Sequence, residues 1–157
     1  MRVGIGYDIH RLKKGRRLVL GGVEIPHSKG LDGHSDADVL LHAVCDAILG
    51  ACGLGDIGNH FPDTDPAYKG ISSLELLKKV KGLIESKNFT VVNIDSTLIL
   101  EEPKIERFKD SMRKNISGAV GIGADKVNVK ATTQEGVGPI GSGLAAAALA
   151  TASVEKK

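Results

Sequence analysis

Three side chains carry the strongest chemical signal in the chain. Residues 3–10 alternate, with Val3, Ile5, Tyr7 and Ile9 on one side and Gly4, Gly6, Asp8 and His10 on the other. In a strand, residues two apart point the same way, so Asp8 and His10 stand side by side. His42 lies in a helical segment, within a polar row of Asp38, His42 and Asp46 at i, i+4 and i+8. A carboxylate and two imidazoles make a good ligand set for Zn²⁺, with a fourth position open to a substrate oxygen. A carboxylate of the helix row could orient His42 from behind. Taken singly, each of these residues also reads as ordinary polarity at a strand end or on a helix face.

Four other segments could contribute chemistry. His34-Ser35 precedes a helix start, where backbone N–H groups and an imidazole would suit a phosphate. The plainer reading is a serine N-cap beside a loop histidine. Asp56-Ile57-Gly58 and Phe61-Pro62-Asp63-Thr64-Asp65-Pro66 gather three carboxylates that could grip sugar hydroxyls or a divalent cation. The same residues make ordinary Asx-turns. Thr132-Thr133-Gln134-Glu135-Gly136 runs into the glycine-rich stretch 138–143, which could hold a phosphate and its Mg²⁺ or be a simple polar turn. Glu101-Glu102-Pro103-Lys104 reads as the acidic start of a helix. No GxSxG nucleophile elbow is present, and neither cysteine sits in a nucleophile motif. The chemistry indicated is therefore metal-assisted, on a phosphorylated small molecule, without a protein nucleophile.

The elements that must position these residues follow from periodicity. Residues 3–10 form a strand, and 18–20 with 23–25 form a small hairpin across Gly21-Gly22. Ser35 with Asp38 resembles a capping box ahead of a helix over 38–52, with Val39, Leu40, Ala43, Ala47 and Ile48 as its apolar stripe. Gly53 and Gly55 stop it. Ser72 with Glu75 starts a helix over 73–88, and Pro103 opens another over 104–117. Residues 89–100 and 127–132 read as strands. The alanine-rich tail favours helix by propensity alone.

Composition bounds the reading. The chain has 157 residues, which fits one domain of about 100–150 residues. Only 5 residues are aromatic (Phe 3, Tyr 2, Trp 0), so the core must be built from Val, Ile, Leu and Ala. Net charge is +2, from 21 Lys+Arg against 19 Asp+Glu, which advertises no nucleic-acid partner. No apolar run approaches the ~20 residues of a membrane span, and no leader character precedes the first strand. Cys45 and Cys52 are seven apart, a rise of ~10 Å on one helix, so they cannot pair with each other. Free thiols and the absent targeting segment make the cytoplasm the expected location.

Taken together, Gly6-Tyr7-Asp8-Ile9-His10, His34-Ser35-Asp36, Leu41-His42-Ala43, Leu54-Gly55-Asp56-Ile57-Gly58, Phe61-Pro62-Asp63-Thr64-Asp65-Pro66, Pro103-Lys104 and Val127–Thr133 resemble, in order and spacing, the 2-C-methyl-D-erythritol 2,4-cyclodiphosphate synthase family. The resemblance covers about residues 1–143. It implies a single α/β (α+β) domain over 1–157, with a mixed four-stranded sheet covered by helices on one face and a small hairpin. It also implies a C-terminal strand in place of a helix, and a homotrimer with active sites between subunits.

The family converts 4-diphosphocytidyl-2-C-methyl-D-erythritol 2-phosphate to the cyclic diphosphate and CMP, using the substrate's own 2-phosphate as nucleophile. Carried over, Asp8, His10 and His42 hold Zn²⁺, and Glu135 helps place a Mg²⁺ or Mn²⁺ on the diphosphate. His34 and Thr133 stabilise the transition state. Ser35 faces phosphate; Asp56, Ile57, Gly58, Phe61, Pro62, Asp63, Thr64 and Asp65 hold the methylerythritol part. Leu100, Glu101, Glu102, Pro103 and Lys104, with Ala131, Thr132 and Gln134, hold the cytidine diphosphate part. Pro139 and Ser142 stand where the family commonly has Phe and Arg. Two other readings of the same residues are a metal-dependent phosphohydrolase, with water as nucleophile, and a non-catalytic trimeric binding protein.

Overall fold

In a computed structural model describing residues 1–157, seven strands and five helices follow the chain. Strand β1 (Arg2–Lys14) leads into the hairpin of β2 (Leu18–Leu20) and β3 (Val23–Ile25), then β4 (Lys29–Leu31). Helix α1 (Val39–Cys52), the single turn α2 (Ile57–His60) and helix α3 (Ser73–Glu85) come next. Then follow β5 (Phe89–Ile99), α4 (Lys109–Val120), β6 (Val127–Thr132), the single turn α5 (Gly138–Gly141) and β7 (Ala145–Lys156).

The main sheet has five strands in the order β4-β1-β7-β5-β6, one more than the expected four. The extra strand, β4, is a three-residue edge that pairs Leu12, Lys13 and Lys14 of an unexpectedly long β1. Only β5 and β6 run parallel; the other pairs are antiparallel. The hairpin forms its own small sheet. Helices cover one face, with α1 against β1 and β7, α3 against α1, and α4 against α3 and β6.

Helix α1 is apolar almost all round, because it lies between the sheet and the outer helices. Its N-cap is Asp38, whose Oδ1 accepts from Leu41 N–H at 3.1 Å, and not the expected Ser35. Buried Asp38 also accepts from Gly21 N–H and Gly22 N–H, so it ties the hairpin turn to the helix start. Gly53, at φ 70°, ends the helix in a left-handed cap. The third helix begins at its expected cap, Ser72, but stops at Glu85. The fourth begins at Lys109, after a 3₁₀ turn at Glu106–Phe108, and not directly after Pro103.

Two features differ from simple pattern reading. The alanine-rich tail is strand β7, as the family resemblance implied, between β1 and β5. Ala146, Ala148, Ala150 and Ala152 are buried beneath the helices, so tertiary pairing overrides alanine's helix preference. The second concerns β1. Its covered face is the glycine side, while Val3 and Ile5 are each 70 % exposed, Tyr7 52 % and Ile9 45 %. Gly4 and Gly6 let α1 approach the strand backbone directly; a Cβ on Gly6 would sit 1.9 Å from the Ala43 carbonyl oxygen. No helix is long and apolar enough to cross a membrane.

Candidate functional site

The close approach of α1 to β1 brings the two halves of the donor set together. Asp8 and His10 follow Gly4 and Gly6 along the covered face of the strand. His42 projects from the first turns of the helix above them. Asp8 Oδ2 lies 2.9 Å from His10 Nε2 and 3.0 Å from His42 Nδ1. One donor atom from each residue falls within 4.8 Å of the other two. Bonds of about 2.0–2.2 Å to one ion require such convergence, so the three residues form a potential metal-binding triad.

Each imidazole is held on its far side. His10 Nδ1 donates to the Asp32 carbonyl at 2.7 Å, leaving Nε2 to face Asp8. His42 Nε2 lies 3.0 Å from Ser73 Oγ and 3.2 Å from Ser35 Oγ. The expected partners of His42, Asp38 and Asp46, are engaged elsewhere: Asp38 caps the helix, and Asp46 Oδ1 accepts from Ile57 N–H at 2.7 Å. Ser73 is a contributor that sequence reading missed. Its only local signal is adjacency to the helix cap Ser72, because its partners lie more than thirty residues away.

Electrostatics bind the triad further. Burial opposes ionisation of Asp8, but the hydrogen bonds and positive charge of His10 and His42 hold its carboxyl well below the usual carboxylate range. The hydrogen bond to Asp8 raises His10 above the ordinary histidine value, against the opposing effect of burial.

The triad opens onto a cavity of about 420 Å³ lined by His10, His34, Ser35, His42, Ile57, Gly58, Phe61, Pro62 and Asp63. Gly33, Tyr68, Ile71 and Leu76 also line it and were not anticipated. The His34 loop is fixed from two sides. Gly70 N–H donates to the His34 carbonyl, and Asp36 N–H donates to that of Ile71. Arg16 donates to the carbonyls of Leu31, Gly33 and Ser35. His34 Nε2 reaches the Asp65 carbonyl at 3.3 Å.

The acidic loop divides its work. Asp56 caps α2 through Asn59 N–H, and Asp65 caps the next turn through Ala67 N–H. Asp63 lines the cavity, while Thr64 is exposed and does not line it.

The second group of predicted residues lies elsewhere on the sheet. Leu100, Glu101, Pro103, Lys104, Ala131, Thr132 and Thr133 line a separate cleft of about 200 Å³ at the ends of β5 and β6. The Glu101 carboxylate accepts from Gln134 N–H at 2.6 Å and so ties the two sides of that cleft. Thr133 Oγ1 donates to Glu135 Oε1 at 3.3 Å, and Glu135 adopts φ 52° in the turn. Glu102 is exposed and does not line the cleft. The register row Asp8–Ala148–Leu98–Ala131 runs across four strands. Three strand spacings put the first group about 14 Å from the second.

Known proteins resemble this chain over nearly its whole length. The model of the YgbB family matches residues 1–155. A 2-C-methyl-D-erythritol 2,4-cyclodiphosphate synthase of Desulfosudis oleivorans is 60 % identical over 154 residues, covering 98 % of this chain and 92 % of that one. One from Alkaliphilus oremlandii is 59 % identical over 156 residues, covering 99 % of both. Among solved structures, the bifunctional IspDF of Campylobacter jejuni superposes with a TM-score of 0.95 at 41 % identity. The match takes in 99 % of this chain, which spans 42 % of that longer protein. A CDP complex of Plasmodium falciparum IspF gives a TM-score of 0.86 at 36 % identity, covering 99 % of this chain and 96 % of that one. Similarity of this extent, running through both groups of candidate residues, shows that the chain belongs to the YgbB family.

Proposed function

We infer that this chain converts 4-diphosphocytidyl-2-C-methyl-D-erythritol 2-phosphate to 2-C-methyl-D-erythritol 2,4-cyclodiphosphate and CMP, in non-mevalonate isoprenoid biosynthesis. The observation that carries the reading is the convergence of Asp8, His10 and His42 at the mouth of a cavity that also presents His34 and Ser35. In the reaction, an oxygen of the 2-phosphate bonds to the β-phosphorus. The bond from that phosphorus to the oxygen bridging the α-phosphorus breaks, and CMP leaves with that oxygen. The attacking group is already an anion, so the protein need supply no nucleophile. Both cysteines are buried and take no part.

Asp8, His10 and His42 would hold Zn²⁺, and Glu135 would help hold a Mg²⁺ or Mn²⁺. Such ions supply positive charge that neutralises and aligns the diphosphate. His34 and Ser35 bind phosphate at the cavity wall, and His34 and Thr133 stabilise the charge of the transition state. Asp56, Ile57, Gly58 and the Phe61–Asp65 segment, Thr64 included, take the methylerythritol part. The cleft of residues 100–104 and 131–135 takes the cytidine diphosphate part.

The working unit is a homotrimer, with each chain a single domain over residues 1–157. Two observations support it. The apolar face of β1, with Leu149 of β7, is uncovered. The two groups of candidate residues lie apart on one chain, so a neighbouring copy would bring a second cleft to the first cavity. A cytoplasmic location accords with the two free thiols.

The deciding experiment is ³¹P NMR of the protein with the cytidylyl substrate, Zn²⁺ and Mg²⁺. CMP with a cyclic diphosphate is expected, and His42→Ala removes both turnover and zinc. CMP with a linear phosphate product would instead mean that water reaches the β-phosphorus.

A further inference from the structure

The two imidazoles of the triad are oriented by unlike means. His10 Nδ1 faces a backbone carbonyl at 2.7 Å. A carbonyl only accepts, so Nδ1 carries a proton and Nε2 is the nitrogen turned toward the triad. His42 Nε2 faces two hydroxyls, Ser73 Oγ at 3.0 Å and Ser35 Oγ at 3.2 Å. A hydroxyl donates or accepts, so these contacts alone leave the tautomer open.

Asp36 closes that choice. Its Oδ1 lies 2.5 Å from Ser73 Oγ. Both oxygens of Asp36 already accept backbone N–H bonds, so the carboxylate acts as acceptor and takes the single hydroxyl proton of Ser73. Asp36 is itself fixed, since Oδ2 accepts from Ser73 N–H at 3.0 Å and Oδ1 from Asp38 N–H at 3.2 Å. Ser73 is fully buried, so water does not compete for its oxygen. Ser73 therefore turns a lone pair toward His42, and His42 Nε2 must donate. Its Nδ1 is the nitrogen left to face Asp8 Oδ2, 3.0 Å away, and the one whose proton a bound ion would replace.

We propose that Asp36 and Ser73 are a positioning pair for the metal centre. Through the Asp36–Ser73–His42 chain they hold His42 as the Nε2–H tautomer and present Nδ1 to the ion. The proposal rests on the reading of the triad as a zinc site. It joins the start of α3 to a ligand carried by α1, and it accounts for a buried serine and a carboxylate that the reaction itself does not use.

The test uses the intact assembly. Zinc affinity is measured by chelator competition at fixed pH, and the His42 ring is read by long-range ¹H–¹⁵N NMR with zinc bound. Wild type shows a protonated Nε2 and a metal-shifted Nδ1. Ser73→Ala and Asp36→Asn each weaken zinc binding about 10–100-fold, as loss of an outer partner does. In both variants the Nε2 proton signal broadens or vanishes, a change that loss of stability alone would not cause. If Ser73→Ala does not fold, Asp36→Asn and the wild-type spectrum decide. Wild-type zinc affinity in the variants, or coordination through Nε2 in wild type, overturns the proposal while leaving the zinc reading intact. A wild-type protein that binds no zinc overturns both.

Discussion

Replacing Gly6 with alanine tests whether the spacing between β1 and α1 makes the metal site. The added Cβ would lie 1.9 Å from the Ala43 carbonyl oxygen and 2.8 Å from Ala47 N, both backbone atoms of the helix that carries His42. A comfortable contact is about 3.4 Å, so the helix must retreat by about 1.5 Å near residue 43. Metal sites tolerate about 0.2 Å in donor distance, and Asp8 and His10 would stay behind with the strand. Gly6→Ala should therefore lose stoichiometric zinc. Overpacking of this kind costs about 3 kcal/mol, which in a domain of this size lowers Tm by about 6–12 °C. The assay is zinc content after gel filtration, alongside thermal unfolding of the zinc-free protein. Full zinc occupancy with an unchanged Tm would refute the argument, because it would mean that the helix rides over the strand without needing its bare backbone.

Other expectations follow from the same structure. Zinc must displace the proton that Asp8 helps His10 retain, so zinc affinity should weaken as pH falls from 8 to 6, and a flat profile would contradict the raised His10 value. Without metal, the stabilisation from His10 is complete below its unfolded value and is lost as pH rises through the higher folded one. The zinc-free Tm should therefore fall over that interval, with Asp8 ionised throughout. Ile5→Asp places a charge in the uncovered apolar face and should convert the proposed trimer to monomer in sedimentation; an unchanged mass would show that this face is not the interface. Gly118→Ala lies at an exposed position of α4 where a Cβ meets nothing within 4 Å, and should raise stability by about 0.4–1 kcal/mol in denaturant titration.

Much of this could be read from residue order. The alternation over 3–10 grouped Asp8 with His10 correctly, and the helix carrying His42 was found within a residue of its true start. What alternation could not tell was which face the helix covers. An apolar side and a glycine side each have a reason to be buried, and only the glycine side lets backbone meet backbone. The tail failed as a propensity problem, since alanine suits a helix in isolation and equally suits a strand over which another helix must lie close. The spacing of Ser35 to Asp38 points to Ser35 as the cap; Asp38 takes that place instead, and it is held there by Gly21 and Gly22 reaching it from the hairpin. Ser73 and Asp36 were illegible as a pair for a similar reason: 37 residues separate them, and nothing local announces their contact.

The register row from Asp8 across β7 and β5 to Ala131 bears on inheritance as well as catalysis. If neighbouring copies complete one another's sites, a lesion at Asp8 and a lesion at Glu135 damage different sides of each shared site. Two defective alleles, expressed together, would then rebuild some working sites in mixed trimers, where either allele alone builds none. The converse also holds: a single faulty subunit built into an otherwise sound trimer would spoil a site that its neighbour had supplied in good order.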